Sequence, residues 1–336
     1  MGWWCWGWVW WMVGVVALVG LVPMGGKWVV NKVAPRTVDG WVFVTGCDHG
    51  LGRMVVEQLD AQGVRVVAAC LTQEGVEELS TALTPPSLAV QMDVRSVDSI
   101  GSALEAVKAV MAEHGGYLAG LVNNAGVAPE HAIGFTPLET YRTIVDINLR
   151  GVMFVTKMFL PLLKAGGASL PGGSRVINVA SLAGRIGSPH MGGYCASKHG
   201  VVGWSDAMRR ELSVWGIATV LIEPGFTNTP MVANSGSRIE ALYNAADQET
   251  RDAYGIAWRD HNRSLEKDIR DNARPPHGAV ATIVGALHAR FPFARYVTSY
   301  ADIPLLLFFS MLPSWIGDLA TSLVLHRVPP GSSIAS

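Results

Sequence analysis

The chain has 336 residues, 26 basic and 27 acidic side chains for a net charge of −1, and 49% hydrophobic against only 16% charged residues. That length suits one large domain with attachments rather than two full domains. The near-neutral balance and the lack of any nucleic-acid motif exclude a nucleic-acid partner, and the scattered Cys5, Cys47, Cys70 and Cys195 have no spacing for a metal site or a disulfide framework.

The surplus hydrophobicity lies at the two ends. Met1 to Gly26 carries no charge, and Trp3 to Val22 is apolar apart from glycines. At ~1.5 Å of rise per residue this run matches the hydrocarbon thickness of a bilayer, so residues 1–26 read as a membrane anchor. A cleaved signal peptide is the competing reading, weakened by the missing basic n-region and cleavage site. Position 6 is Trp where N-myristoylation wants Ser or Thr. Residues 27–36 form a basic linker through Lys27, Lys32 and Arg36, which favours a cytosolic domain beyond it. The sequon Asn262-Arg-Ser264 is usable only on a luminal domain. The face of the membrane therefore stays open.

From Trp41 onward, short β-branched runs alternate with longer helical patterns. The strands are expected at Trp41–Thr45, Arg65–Ala69, Leu88–Met92, Leu118–Asn123, Arg175–Ala180, Ala218–Ile222 and Arg295–Thr298, with the longest helices at Leu138–Leu163 and Gly192–Trp215. This alternation predicts an α/β fold: a doubly wound, Rossmann-type parallel sheet of about seven strands with helices on both faces. The domain is expected over residues 37–300. Within it, 226–276 breaks the rhythm and is too long for a plain connection, which suggests a substrate lid. Residues 301–336 form a hydrophobic tail. Pro304, Pro313 and Asp318 interrupt its apolar stretch, so an interfacial element fits better than a spanning helix, with packing on the domain's own core as the alternative.

Two features carry the chemistry. Thr45-Gly-Cys-Asp-His-Gly-Leu-Gly52 stands between a strand and a helix, where glycines let backbone N–H groups approach a diphosphate at the helix N-terminus. Tyr194 and Lys198 lie four residues apart on one helix and share a face. A phenol with a pKa of about 10 is a poor base near neutrality, and a neighbouring ammonium is expected to lower it. Ser181, at the end of a strand, is placed to hold a substrate oxygen. His114, His190 and His199 show no metal-ligand grouping, whereas His49 sits inside the nucleotide turn.

The turn, Asp93, Asn123-Asn-Ala-Gly126, Asn148, Ser181, Tyr194-x-x-x-Lys198 and Pro224-Gly225 occur in an order that resembles the short-chain dehydrogenase/reductase family. The resemblance runs from Thr37 to about Ser299. In wording such as Gly193-Tyr-Cys-Ala-Ser-Lys198 and Ile222-Glu-Pro-Gly225 it is most similar to the microsomal retinol and hydroxysteroid dehydrogenase branch, which also contains 3-hydroxybutyrate dehydrogenase. The resemblance implies a catalytic set of Asn148, Ser181, Tyr194 and Lys198, with Ser181 and Tyr194 touching substrate and Asn148 carrying a water that relays protons. It implies a nicotinamide coenzyme held by Gly46, Asp48, His49, Gly50, Leu51 and Gly52, by Asp93 and Val94 near adenine, by Asn123 and Ala125, by Tyr194 and Lys198, and by Pro224, Gly225 and Thr227.

Asp48 would repel a 2′-phosphate and no base follows the second strand, so NAD is expected. NADP stays open because His49 and Arg53 offer positive charge. The expected partner is a hydrophobic alcohol, a retinoid or a steroid, at the endoplasmic reticulum membrane, with family-like pairing into a homodimer. Two rivals remain: a hydroxy-acid dehydrogenase using Arg185 or His190 to hold a carboxylate, and a catalytically silent nucleotide-binding scaffold on the membrane.

Overall fold

The computed structural model describes residues 36–233, 235–311 and 313–325, together with Asn31. The anchor expected over 1–26, most of the basic linker and Cys5 lie outside the described residues.

All seven expected strands form, and they pair in parallel in the order β3-β2-β1-β4-β5-β6-β7. They are β1 (Trp41–Thr45), β2 (Arg65–Cys70), β3 (Leu88–Gln91), β4 (Leu118–Asn123), β5 (Ser174–Val179), β6 (Ile217–Glu223) and β7 (Arg295–Val297). Every residue of β1, β4 and β5 is buried, which a parallel sheet covered on both faces requires. Alternation sorts the side chains into two layers. Val42 and Val44 face a layer with Val55 and Leu59 of α1 (Gly50–Ala61) and Ile283 and Leu287 of α10 (His277–His288). Trp41 and Phe43 face the other layer, with Val107 of α3 (Val97–His114) and Phe159 and Leu163 of α5 (Val152–Ser169). The Phe43 and Phe159 rings lie 4.4 Å apart. Full burial of such a side chain contributes roughly 1.5–3 kcal/mol.

The helix α2 (Gln73–Ala82) follows β2 and is capped by Thr72, whose hydroxyl accepts from the Gly75 N–H. The long helix expected from Leu138 to Leu163 is continuous but not uniform. It consists of α4 (Leu138–Val145), a π-helical turn over Asp146–Gly151, and α5, which runs on to Ser169. Such wide turns recur at functional sites, and this one carries Asn148. The second long helix, α6 (Gly192–Leu212), carries Tyr194 and Lys198.

The region expected as a substrate lid contains α7 (Pro230–Ala233), α8 (Ser235–Ala245) and α9 (Gln248–Asp271), the last kinked at Gly255, and is tied at its base by a bridge between Thr227 and Arg274. Phe135, Tyr243, Tyr254 and Trp258 pack together and hold the lid against the loop after β4. Beyond β7, the tail forms α11 (Ile303–Met311) and α12 (Ser314–Leu325). Among the described residues no helix is long and apolar enough to cross a membrane.

Candidate active site

Strand order reverses beside β1, whose neighbours are β2 and β4, and the candidate residues gather at the carboxyl ends of these strands. In open parallel sheets ligands bind at this switch point.

The glycine turn is built for close backbone approach. Gly46 and Gly50 have φ of +70° and +65°, a conformation that favours glycine. A Cβ on Gly52 would stand against the Gly46 carbonyl and 2.5 Å from Asn124 Nδ2. Asn124 braces the turn, donating to the Thr45 carbonyl at 2.9 Å and the Gly46 carbonyl at 3.1 Å. His49 is the exposed N-cap of α1 but supplies no side-chain hydrogen bond, and no acidic residue stands in the first turn. The first-turn N–H groups are therefore free to receive an anion. These features fit a dinucleotide diphosphate. A groove of about 300 Å³ runs past Asp48, His49, Gly50 and Arg53 to Asn228–Pro230 at the base of the lid.

Asp48 turns towards the end of β2, accepting from Leu71 N–H at 2.8 Å, from Thr72 N–H at 2.9 Å and from the Thr72 hydroxyl at 2.7 Å. Burial opposes its ionisation, but these donors outweigh burial and hold the carboxyl below its ordinary range. Arg53 is committed to Glu57 and Glu78. Asp93 pairs with Arg95 at 2.7 Å, which holds its carboxyl low against some burial. Val94 is buried against Gly151 of the π turn. Thr227 donates its hydroxyl to the Gly225 carbonyl, and Pro224 offers its carbonyl to Ser181 Oγ at 3.4 Å.

Asn123 stands apart from the coenzyme set expected of it. Its side chain points into the α5 layer, donating to Thr156 Oγ1 at 3.0 Å and Asn178 Oδ1 at 2.8 Å. Alternation along β4 explains the difference. Asn123 follows Leu121 onto the α5 face, and Asn124 falls on the face of the glycine turn. Counting by two from Leu121 would have picked out Asn124, which sequence reasoning passed over. Ala125 does meet the turn, lying 2.8 Å by its Cα from where a Cβ on Gly46 would stand.

The four expected catalytic side chains converge. Tyr194 and Lys198 are both buried on one face of α6, with Lys198 Nζ 5.6 Å from the phenol ring centroid. Lys198 Nζ donates to the Val179 carbonyl at 2.9 Å. Asn148 is fully buried and clasps Val127 both ways, accepting from its N–H at 2.8 Å and donating to its carbonyl at 2.9 Å. Between Asn148 and Lys198 lies a small space beside Gly126: a Cβ there would be 3.3 Å from Asn148 Oδ1 and 3.5 Å from Lys198 Nζ.

The electrostatics correct one expectation. In the free chain burial, rather than the neighbouring ammonium, governs the Tyr194 phenol. Burial pushes Tyr194 up to about 12, and a hydrogen bond with Ser181 pulls the other way. Burial also lowers the Lys198 ammonium to about 8. In so dry a site desolvation outweighs the mutual attraction. The two side chains considered for a substrate carboxylate have other surroundings in the fold. Arg185 Nε lies 2.7 Å from the buried Glu223, and burial with its neighbour His131 lowers His190 to about 4, so it is neutral near pH 7. His190 instead stacks on His131 and meets Trp258 of the lid edge-on. Among the described residues no group of His, Cys, Asp and Glu could hold a metal ion.

A short-chain dehydrogenase family profile matches residues 40–240, the span that holds the turn, Asn148, Ser181 and the Tyr194–Lys198 pair. The chain belongs to the short-chain dehydrogenase family. It is therefore an oxidoreductase that uses a nicotinamide coenzyme. Among curated relatives it is 36% identical to mouse (Mus musculus) retinol dehydrogenase 16 over 309 residues, covering 90% of this chain and 94% of that one. It is 32% identical to human (Homo sapiens) 17-beta-hydroxysteroid dehydrogenase type 6 over 308 residues, again 90% and 94%. Its sequence thus falls within the retinol and hydroxysteroid dehydrogenase branch. Among solved structures, a short-chain dehydrogenase/reductase from Burkholderia phymatum in complex with NAD superposes with a TM-score of 0.66. That match has 21% identity and covers 89% of this chain and 99% of that one, so it bears on the fold alone.

Proposed function

We propose that this protein is a membrane-anchored, NAD-linked dehydrogenase acting on a hydrophobic secondary or allylic alcohol, a retinoid or a steroid. One observation carries the reading. Ser181, Tyr194, Lys198 and Asn148 converge beside the glycine turn, while Arg185 is paired with Glu223 and His190 is neutral near pH 7. The aromatic cluster of Phe135, Tyr243, Tyr254 and Trp258, where the lid meets the loop after β4, gives the lid an apolar inner side. The retinol and steroid dehydrogenases among the relatives point the same way.

In this reading Ser181 Oγ holds the substrate hydroxyl and Tyr194 Oη removes its proton as hydride leaves the carbinol carbon. Oxidised nicotinamide supplies the hydride acceptor and a positive ring that favours phenolate. Lys198 shares the dry compartment with the phenol and passes the proton towards the space beside Gly126, where Asn148 Oδ1 would hold a relay water. In the reductive direction Tyr194 is the acid.

The preference for NAD rests on Asp48, which stays ionised at the end of β2, and on Arg53, already neutralised by two glutamates. The apolar run over residues 3–22 supports an anchor in the endoplasmic reticulum membrane. The tail helices, of nine and twelve residues, are too short to span a bilayer and expose Trp315 and Leu319, which suits an interfacial role. Pairing of two chains through the helices bearing Asn148 and Tyr194 belongs to the same proposal.

The test is incubation of detergent-solubilised protein with NAD or NADP and a panel of retinol, hydroxysteroids and 3-hydroxybutyrate, following reduced coenzyme by absorbance. Turnover of retinol or steroid, abolished in Tyr194→Phe with coenzyme binding intact, is expected. Turnover of 3-hydroxybutyrate alone would overturn the substrate reading. Full biological effect of Tyr194→Phe would bring forward a silent scaffold.

A further inference from the structure

The helix that carries Tyr194 begins without a cap of its own. α6 starts at Gly192 after Met191, whose side chain makes no capping hydrogen bond. The first-turn amides of a helix need a partner when buried. Here the partner comes from Glu130, some sixty residues upstream. One carboxylate oxygen accepts from Gly193 N–H at 2.8 Å and the other from Tyr194 N–H. Glu130 is only 6% exposed, so this is a built contact between buried groups.

We infer that Glu130 is a positioning residue for Tyr194, a tertiary cap that fixes the first turn of α6 and with it the phenol's placement against Ser181. The inference rests on the reading of Tyr194 as the proton-transfer residue.

Three further observations support it. Gly193 is matched to the carboxylate, since a Cβ there would lie 2.8 Å from Glu130 Oε2 and 2.6 Å from Tyr141 Cδ1. Glu130 also shares its segment with the other side chains of the site. Val127, three residues earlier, is clasped by Asn148, and His131, the next residue, stacks on His190 and reaches Glu266 of the lid helix at 3.5 Å. The loop after β4 thus ties the Asn148 turn, the start of α6 and the lid into one unit. Finally, stability does not account for the charge. Burial raises the Glu130 carboxyl above its ordinary range, against the pull of the Tyr194 and Gly193 amides and of His131. With the folded pKa above the unfolded one, ionising Glu130 costs stability as pH rises through that window.

The test compares wild type, Glu130→Gln, Gly193→Ala and the double variant in the full chain. Gln keeps the volume, but its amide nitrogen must face one of the two N–H donors, so one bond is replaced by a repulsion. The readouts are kcat with retinol and with a hydroxysteroid, NADH affinity by fluorescence titration, thermal midpoint, and amide exchange over 190–198. We expect kcat to fall about tenfold or more in each single variant, the scale set by a sub-ångström misplacement of a catalytic group. NADH affinity should stay within about twofold, because Asn124 rather than Glu130 holds the glycine turn. The Tyr194 amide should exchange faster, Glu130→Gln should keep its midpoint, and the double variant should be no slower than the slower single one. Wild-type kcat in Glu130→Gln would overturn the inference, as would a kcat loss matched by equal losses of NADH affinity and midpoint. A wild-type chain that oxidises neither alcohol would overturn the proposed function and this role together.

Discussion

Lys198 puts a cost on the fold that substitution should expose. Its ammonium is buried, and burial lowers its pKa from 10.5 to about 8. A group whose folded pKa lies below its unfolded one is disfavoured in its charged form. The cost is therefore complete below pH 8 and fades as pH rises towards 10.5, where both states have lost the proton. At about 1.4 kcal/mol per pKa unit the cost near neutrality is about 3 kcal/mol. Lys198→Met keeps the volume and removes the charge, at the loss of about 1 kcal/mol for the hydrogen bond to the Val179 carbonyl. The variant is thus expected to be about 2 kcal/mol more stable than wild type at pH 7, a rise of roughly 5 °C in thermal midpoint for a domain of this size. At pH 10.5 and above the sign should reverse, leaving it about 1 kcal/mol less stable. Scanning calorimetry in one detergent at pH 7 and pH 10.5 measures both arms, and alcohol oxidation should be lost at either pH. A variant destabilised equally at the two pH values would refute the claim that desolvation dominates this site.

Gly52→Ala should weaken NAD binding by about tenfold to a hundredfold, since forcing a methyl against the Gly46 carbonyl and Asn124 costs about 1–3 kcal/mol; Gly203→Ala, on α6 with open space around it, is the control, and isothermal titration reads both. Asp48→Ala frees the Leu71 and Thr72 donors at the end of β2 and removes a charge there, so the NADP-to-NAD ratio of kcat/KM should rise about tenfold. Gly126→Ala fills the space between Asn148 Oδ1 and Lys198 Nζ and should lower kcat about tenfold while leaving NAD affinity nearly unchanged, as stopped-flow and titration together would show. Deleting 303–325 should raise KM for retinol or steroid and spare a short soluble alcohol; equal losses on both would sink the tail as a route for lipid-dissolved substrate.

The sheet was legible because its central strands are buried on both faces, leaving runs such as Trp41–Thr45 and Leu118–Asn123 that no amphipathic helix would tolerate. The turn was legible because glycine is the residue that positive φ and close backbone contact demand at Gly46, Gly50 and Gly52. What escaped depends on distance in the chain or on burial. The π turn around Asn148 has no periodic signature of its own within a helix-forming run. Arg185 looked free for a substrate because Glu223, its partner, lies 38 residues away at the end of β6. Nothing in the sequence singles out Glu130, and its two bonds to the start of α6 follow only from the fold. The effect of Lys198 on Tyr194 was misjudged for a related reason. Spacing gives the neighbour but not the dielectric, and in a site this dry burial moves both groups further than they move each other.

These departures share one physical basis. Tyr194, Lys198 and Asn148 are all buried polar groups; Lys198 and Asn148 bond to backbone, and a buried carboxylate holds the first turn that bears Tyr194. Lys198 holds the Val179 carbonyl, Asn148 holds both polar atoms of Val127, and the Tyr194 N–H is held by Glu130. Backbone at the ends of packed strands and helices moves less than a side chain does, so anchoring on it sets the donors and acceptors before substrate arrives. The cost near neutrality is borne in stability by an ammonium and a carboxyl whose charged forms the fold disfavours. The gathering of Tyr194, Lys198 and Asn148 next to a turn shaped for a diphosphate fits the proton transfer coupled to hydride transfer proposed above.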